Sequence, residues 1–145
     1  MINIICIGKI KEEYLKELVS DYQSRIGKYH KINIIELKEG KSLDYEANDI
    51  LKCIKPNDYV IALVIEGKNL NSVSLANLIN DTFNHYGTID FVIGESNGLS
   101  EIIKNRANYL LSFSNMTFPH GLFRGILLEQ IYRSFKIINN ESYHK

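Results

Sequence analysis

The chain has 145 residues, 45% of them hydrophobic and 23% charged, with a formal net charge of zero. A chain of this size is expected to form one domain, residues 1–145, whose core needs no metal or disulfide to hold it. The neutral total excludes a general nucleic-acid coat protein, and the ordinary apolar content excludes a disordered chain.

INIICIG (Ile2–Gly8) is rich in β-branched residues and reads as a strand. The segment around it has no basic leader and no small-residue cleavage site, so it is not a secretory signal. Lys11–Gly27 is an amphipathic helix with Tyr14, Leu15, Leu18, Val19, Tyr22 and Ile26 on one face and Gly27 as its stop. Lys31–Leu37 is a second strand, Glu39–Leu43 a polar turn, and Asp44–Ile54 a helix closed by Pro56. Cys6 and Cys53 are the only two cysteines, both in apolar segments and neither with a neighbour at metal-ligand spacing. They read as buried thiols in a reducing compartment, and no metal is expected.

Asp58–Ile65 lacks polar alternation, as a parallel strand covered on both faces does. Its YVIALVI run, seven residues, is the longest apolar stretch, against the ~20 that a membrane span needs. The expectation is a soluble, cytoplasmic protein with no membrane partner. EGKNLNS is a loop, followed by a helix capped by Ser72 or Ser74, running to Tyr86 and ended by Gly87. Ile89–Gly94 is another buried strand, Ser100–Ala107 a short helix with Ser100 as its cap, and Asn108–Phe113 a fifth strand. His30 and His85 lie near element ends and read as solvated.

Strand–helix alternation of this kind implies an α/β fold with a mostly parallel sheet flanked by helices. Ligands in such sheets bind beyond the carboxyl ends of the strands. Three loops are therefore candidates: Glu66–Asn71, the turn after Gly94 with a second glycine at Gly98, and FSNMTFPH (Phe113–His120). The first two fit a plain connection as well as a ligand loop. The third exceeds the ordinary four to six residues of a connection. It also sets Phe113, Met116 and Phe118 among small polar residues, a composition able to cradle a flat aromatic group. The spacing of Gly94 and Gly98 matches neither a dinucleotide fingerprint nor a P-loop, which disfavours a dehydrogenase.

Leu122–Ile138 is a helix whose apolar residues spread beyond one stripe, with Leu128 outside the line of Phe123, Leu127 and Ile131. The extra width suggests two contacts, one with its own sheet and one with a second subunit. Charge is uneven: residues 42–103 carry three basic and nine acidic groups, residues 104–145 six basic and two acidic. The basic last third leaves room for a local anionic partner. The end of the chain, NNESYHK, is polar, yet Tyr143 and His144 pair a stacking surface with a group that titrates near neutrality.

FVIGESNG (Phe91–Gly98), NYLLSFSNMTFPHGLFRGILLEQIYRSFKI (Asn108–Ile137) and the final SYHK are far more specific than any glycine pattern. Over nearly its whole length the chain resembles the RlmH family of small bacterial SPOUT-class methyltransferases, which methylate N3 of a pseudouridine in large-subunit ribosomal RNA. The resemblance implies a SPOUT-type fold with a C-terminal trefoil knot, one of the rare exceptions to unknotted topology. It also implies a homodimer, S-adenosylmethionine as cofactor, and the ribosome as substrate. By position it assigns cofactor contacts to Leu63, Gly94, Phe113, Ser114, Asn115, Met116, Thr117 and Phe118. The candidates for handling the target base are Tyr143 and His144, acting on the partner's site, with His120 and Arg124. Arg133, Lys136 and Lys145, with Lys9 or Lys11, are expected on RNA phosphates. A non-catalytic, knotted RNA-binding homodimer is the alternative.

The family usually has a second glycine where this chain has Glu95. Glu95 brings a Cβ, a charge and a preference against positive φ. Either its backbone is unstrained or the methionine end of the pocket is altered; a carboxylate there is also placed to pair with the cofactor's amino or sulfonium cation. Gly125 stands in the last helix where the family more often has Val. It costs about 1 kcal/mol against Ala and carries no functional expectation.

Overall fold

The computed structural model describes residues 1–145. Strands and helices alternate: β1 (Ile2–Ile7), α1 (Glu13–Gly27), β2 (Ile32–Leu37), α2 (Leu43–Lys52), β3 (Tyr59–Asn69), α3 (Ser72–Phe83), β4 (Ile89–Ile93), α4 (Glu101–Arg106), β5 (Tyr109–Ser112) and α5 (His120–Ile138). All strand pairs are parallel, in the order β2-β1-β4-β3-β5. The uniformly apolar runs form the middle of the sheet, where β1 and β4 are buried along their whole length.

Side chains alternate between two cores. Ile2, Ile4 and Cys6 of β1, with Ile89, Phe91 and Ile93 of β4, face the larger one beneath α1, α3 and α5. Ile5, Ile7 and Val92 face the smaller one beneath α2 and α4. Each fully buried Ile or Phe contributes roughly 1.5–3 kcal/mol relative to an exposed one.

The extra apolar width of α5 is used inside the chain. The helix lies between α1 and α3, and Leu127, Leu128 and Ile131 are all fully buried there. Gly125 lets α1 approach: an added Cβ would lie 2.5 Å from Leu18 Cδ2. Leu128 therefore gives no sign of a second subunit. The apolar side chains left exposed on this part of the chain are Met116, Phe118 and Leu122.

Several boundaries differ from the sequence reading. β3 runs on to Asn69, through most of the expected loop, because the chain arches out after Leu63 and rejoins β5 at Lys68; Leu111 is opposite both. Gly67 permits this, since a Cβ there would lie 2.7 Å from the Leu110 backbone. Asn71, not Ser72 or Ser74, caps α3, its Oδ1 accepting from the Ser74 amide at 2.7 Å. α3 stops at Phe83, before Gly87, and α2 stops at Lys52, before Pro56. Ser100 precedes α4, but its hydroxyl makes no capping bond. His30 is not simply solvated: its ring stacks on Phe83 at 4.3 Å, and burial lowers its pKa. Cys6 is buried, which pushes its thiol up to about 11, whereas Cys53 is only half-buried.

A polar ladder crosses the smaller core. Asn33 donates to Asn3 at 3.1 Å, and Asn3 to Asp90 Oδ1 at 2.9 Å, linking β2, β1 and β4. Asp90 is fully buried and its Oδ2 has no partner.

Candidate active site

The three selected loops meet at the carboxyl end of the sheet. β4 ends in a turn closed by the Gly98 amide donating to the Glu95 carbonyl at 2.8 Å, with Gly98 at φ +79°. A Cβ on Gly94 would lie 2.2 Å from the Gly98 carbonyl oxygen, so the turn folds over a position only glycine can occupy. Glu95 itself is not at positive φ. Its side chain is thus accommodated without backbone strain.

The arch of β3 forms the second wall, tied to α4 by Lys104 Nζ to Glu66 Oε1 at 2.5 Å. That pair raises the pKa of Lys104 and lowers that of Glu66. The segment after β5 forms the third wall. Asn69 donates to the Ser112 carbonyl at 3.0 Å, and the Met116 amide to Ser114 Oγ at 3.0 Å, which curls the loop. Phe123, in the first turn of α5, meets Phe113 edge-on at 5.3 Å and Phe118 face-on at 6.1 Å. Those contacts keep the aromatic loop against the body of the protein.

Together these walls enclose a cavity of about 760 Å³, within the usual range for a small-molecule site. Leu63, Gly94, Phe113, Ser114, Met116, Thr117 and Phe118 all line it. Asn115 is on the same loop but exposed, outside the wall. Of the Glu66–Asn71 loop only Glu66 lines the cavity, and sequence reasoning missed Val64, Ile65, Leu99, Lys104 and Leu111. The β3 arch brings in Val64 and Ile65, and nothing in a polar EGK stretch announces an arch.

The candidates for base handling separate into two groups. His120 is in the cavity wall, its Nδ1 2.9 Å from Glu95 Oε1 and its Nε2 buried without a partner. Arg124, one turn on, is outside the wall and only 1% exposed. Its Nη1 reaches Glu36 Oε2 at 2.6 Å and its Nη2 donates to the Gly8 carbonyl at 3.2 Å.

Tyr143 and His144 lie against the far half of α5. Tyr143 Oη donates to Glu129 Oε1 at 3.1 Å beneath the Arg133 guanidinium, and His144 Nδ1 is 3.1 Å from Arg133 Nη1. Nine residues of helix, about 13 Å at the α-helical rise, separate Glu129 from His120. Arg133 is paired with Glu129, and Lys136 reaches Glu141 at 3.2 Å over the rings of Tyr29 and Tyr132. Lys9, Lys11 and Lys145 are exposed.

The family described as "Predicted SPOUT methyltransferase" matches residues 1–144. The chain belongs to the SPOUT methyltransferase family. It is 50% identical to the "Ribosomal RNA large subunit methyltransferase H" of Clostridium botulinum (strain Langeland / NCTC 10281 / Type F), over 99% of both chains. It is 49% identical to the protein of the same name from Clostridium novyi (strain NT), again over 99% of both. Among solved structures, "a probable methylase family protein from Haemophilus influenzae Rd KW20" superposes with a TM-score of 0.58 at 15% identity, over 99% of this chain and 70% of that one. The SpoU methyltransferase AviRb from Streptomyces viridochromogenes superposes at 0.52, with 9% identity, over 98% of this chain and 62% of that one. At those identities the two superpositions establish the SPOUT fold alone. No helix is long and apolar enough to cross a membrane.

Proposed function

We propose that this SPOUT methyltransferase transfers a methyl group from S-adenosylmethionine to N3 of a pseudouridine in large-subunit ribosomal RNA, as a homodimer acting on the assembled ribosome in the cytoplasm. One observation carries the reading: the arch of β3 and the ends of β4 and β5 converge on one cavity of about 760 Å³, in a chain whose half-identical relatives are named for ribosomal RNA methylation.

The cavity suits the donor chemically. Leu63, Leu111, Phe113 and Phe118 offer apolar walls, the curled Ser112–Thr117 backbone offers polar groups to a heterocycle edge, and Glu95 offers a negative charge. Leu63, Gly94 and the Phe113–Phe118 run would hold it, with the segment after β5 drawn through a neighbouring loop as a trefoil knot. When bound, the donor supplies an electrophilic methyl group on a cationic sulfur.

The protein's part is alignment and exclusion of water. The N3 proton of the target base must leave as the nitrogen attacks, which calls for an acceptor or a cation nearby. His120 is on hand in the wall, and Arg124 fixes the helix that carries it. Tyr143 and His144, held at Glu129 and Arg133 about 9–15 Å along α5 from Phe123 of their own cavity wall, serve the partner's site instead, Tyr143 stacking on the base and His144 meeting its edge. Arg133, Lys136 and Lys145, with Lys9 or Lys11, take RNA phosphates. Arg133 and Lys136 do so by exchanging Glu129 and Glu141 for phosphate.

The test is methyl transfer from labelled S-adenosylmethionine to ribosomes lacking the modification, with the product nucleoside identified. Label on N3 of a large-subunit pseudouridine is the expected result. Saturable donor binding with no transfer to any ribosomal substrate would replace this reading by the non-catalytic RNA-binding homodimer.

A further inference from the structure

Two acidic side chains line the cavity, Glu66 and Glu95. Glu66 is neutralised by Lys104 at 2.5 Å. Glu95 has no lysine or arginine partner. Its Oε1 accepts from His120 Nδ1 at 2.9 Å and from the Ser96 amide at 3.3 Å. Its Oε2 accepts no hydrogen bond from the protein and rests on Gly8, where a Cβ would lie 2.6 Å away. The Glu95 side chain is only 16% exposed. This oxygen keeps access to the cavity and is free to meet a positive group of a ligand.

His120 meets only Oε1, through Nδ1, and its Nε2 is buried without a hydrogen-bond partner. Glu95 thus stands at a corner of the cavity with one oxygen engaged by the protein and the other open to a ligand. The reacting methyl belongs at this corner too. His120 is the one base-handling candidate in the wall, and exposed Lys9 and Lys11 follow Gly8 on the adjoining β1–α1 connection, where an RNA backbone can approach.

We propose that Glu95 is the counter-charge of the donor's sulfonium, and that it makes the cavity prefer the charged donor over the neutral thioether left after transfer. The inference rests on the S-adenosylmethionine reading above. The spent product has the same adenosine and amino-acid parts but no charge on sulfur, so the preference favours exchange of product for fresh donor.

Calorimetry on the full-length protein with three ligands tests it: S-adenosylmethionine, sinefungin, which has a protonatable amine in place of the sulfonium, and S-adenosylhomocysteine, which is neutral there. The wild-type chain is expected to bind the two charged ligands at least about tenfold more tightly than the neutral one, roughly 1.4 kcal/mol. Glu95→Gln should erase that preference while S-adenosylhomocysteine affinity changes by less than about twofold, which also reports an intact cavity. If Glu95→Gln does not fold, Glu95→Gly takes its place with the same expectation. Equal weakening of all three ligands assigns the carboxylate to their shared α-amino group and overturns the inference, as does an unchanged preference. Failure of the wild-type chain to bind any of the three removes the donor reading itself.

Discussion

Arg124 Nη1 lies 2.6 Å from Glu36 Oε2, and the same guanidinium donates to the Gly8 carbonyl at 3.2 Å. One buried cation thereby ties the start of α5 to the ends of β1 and β2. It holds His120 and Gly8 in fixed relation, and Glu95 is seated between those two residues. Removing one partner of such a pair leaves the other without compensation, which costs more than the pair itself contributes.

Arg124→Met keeps most of the side chain's volume and deletes its charge. The expected loss of stability is about 2–4 kcal/mol, at the lower side of the range for buried pairs because Glu36 keeps some contact with water. Urea denaturation measures it. Adding Glu36→Gln should restore part of the loss, since the orphaned carboxylate is then gone; a double variant no more stable than the single one would contradict the pairing.

Gly94 and Gly27 make a matched comparison. A Cβ at Gly94 would strike the Gly98 carbonyl oxygen at 2.2 Å, backbone against backbone, whereas one at Gly27 meets nothing within 4 Å. Gly94→Ala is expected to open the Glu95–Gly98 turn, weaken donor binding by more than about a hundredfold and lower the melting temperature. Gly27→Ala, at a helical position without positive φ, should be neutral or stabilising by about 0.5–1 kcal/mol. Calorimetry and thermal melts on the two variants check both.

Asp90 gives stability a pH dependence. Burial, then the neighbouring Asp58, raise its carboxyl to about 7, against about 4 in an unfolded chain. Folding therefore takes up a proton between those values. The group's contribution is fully present below the unfolded value, is lost as pH rises toward about 7, and is flat beyond. Asp90→Asn should be more stable than the parent at pH 8 by about 1–3 kcal/mol, with the gap closing by pH 5. Urea unfolding at pH 5, 6.5 and 8 measures the difference; a constant gap would mean that Asp90 is ionised throughout.

What could be read from the chain followed the range of the forces involved. β1 and β4 are apolar at every position because both faces are covered, and such runs announce themselves. The FSNMTFPH loop was legible because aromatics in a polar loop need covering; Phe123 packs on Phe113 and Phe118, while Phe118 and Met116 remain exposed at the cavity. The β3 arch was not legible: Glu66, Gly67 and Lys68 are ordinary loop residues, and only the backbone of β5, more than forty residues on, makes strand of them. The breadth of α5 was visible and was divided between its own sheet and a second subunit; that α1 and α3 both lie against it, covering Leu128, is something nothing local reveals. Glu95 stood out as a departure from its family. Its partner His120 is 25 residues away in sequence, and the space for its free oxygen depends on Gly8 lacking a side chain.

Tyr143 and His144 lie against Glu129 and Arg133 of their own chain, remote from their own cavity. Deleting Tyr143–Lys145 removes one edge-on aromatic contact with Tyr132 at 5.0 Å, the Arg133 guanidinium over the Tyr143 ring at 4.8 Å, and two hydrogen bonds, Tyr143 to Glu129 and His144 to Arg133. Stability should therefore fall by about 2–3 kcal/mol, and donor affinity by less than about twofold. On the proposed role of Tyr143 and His144, methyl transfer to ribosomes should fall by more than about a hundredfold, the target base losing its stacking surface and its alignment. A mixed dimer separates action on the chain's own site from action on the partner's. One subunit has an intact cavity and no Tyr143–Lys145; the other has an intact end and the blocked Gly94→Ala cavity. If the end serves the partner, the intact cavity receives it and one site per dimer works, although each parental homodimer is inactive. An inactive mixed dimer would place Tyr143 and His144 at their own chain's site or at none.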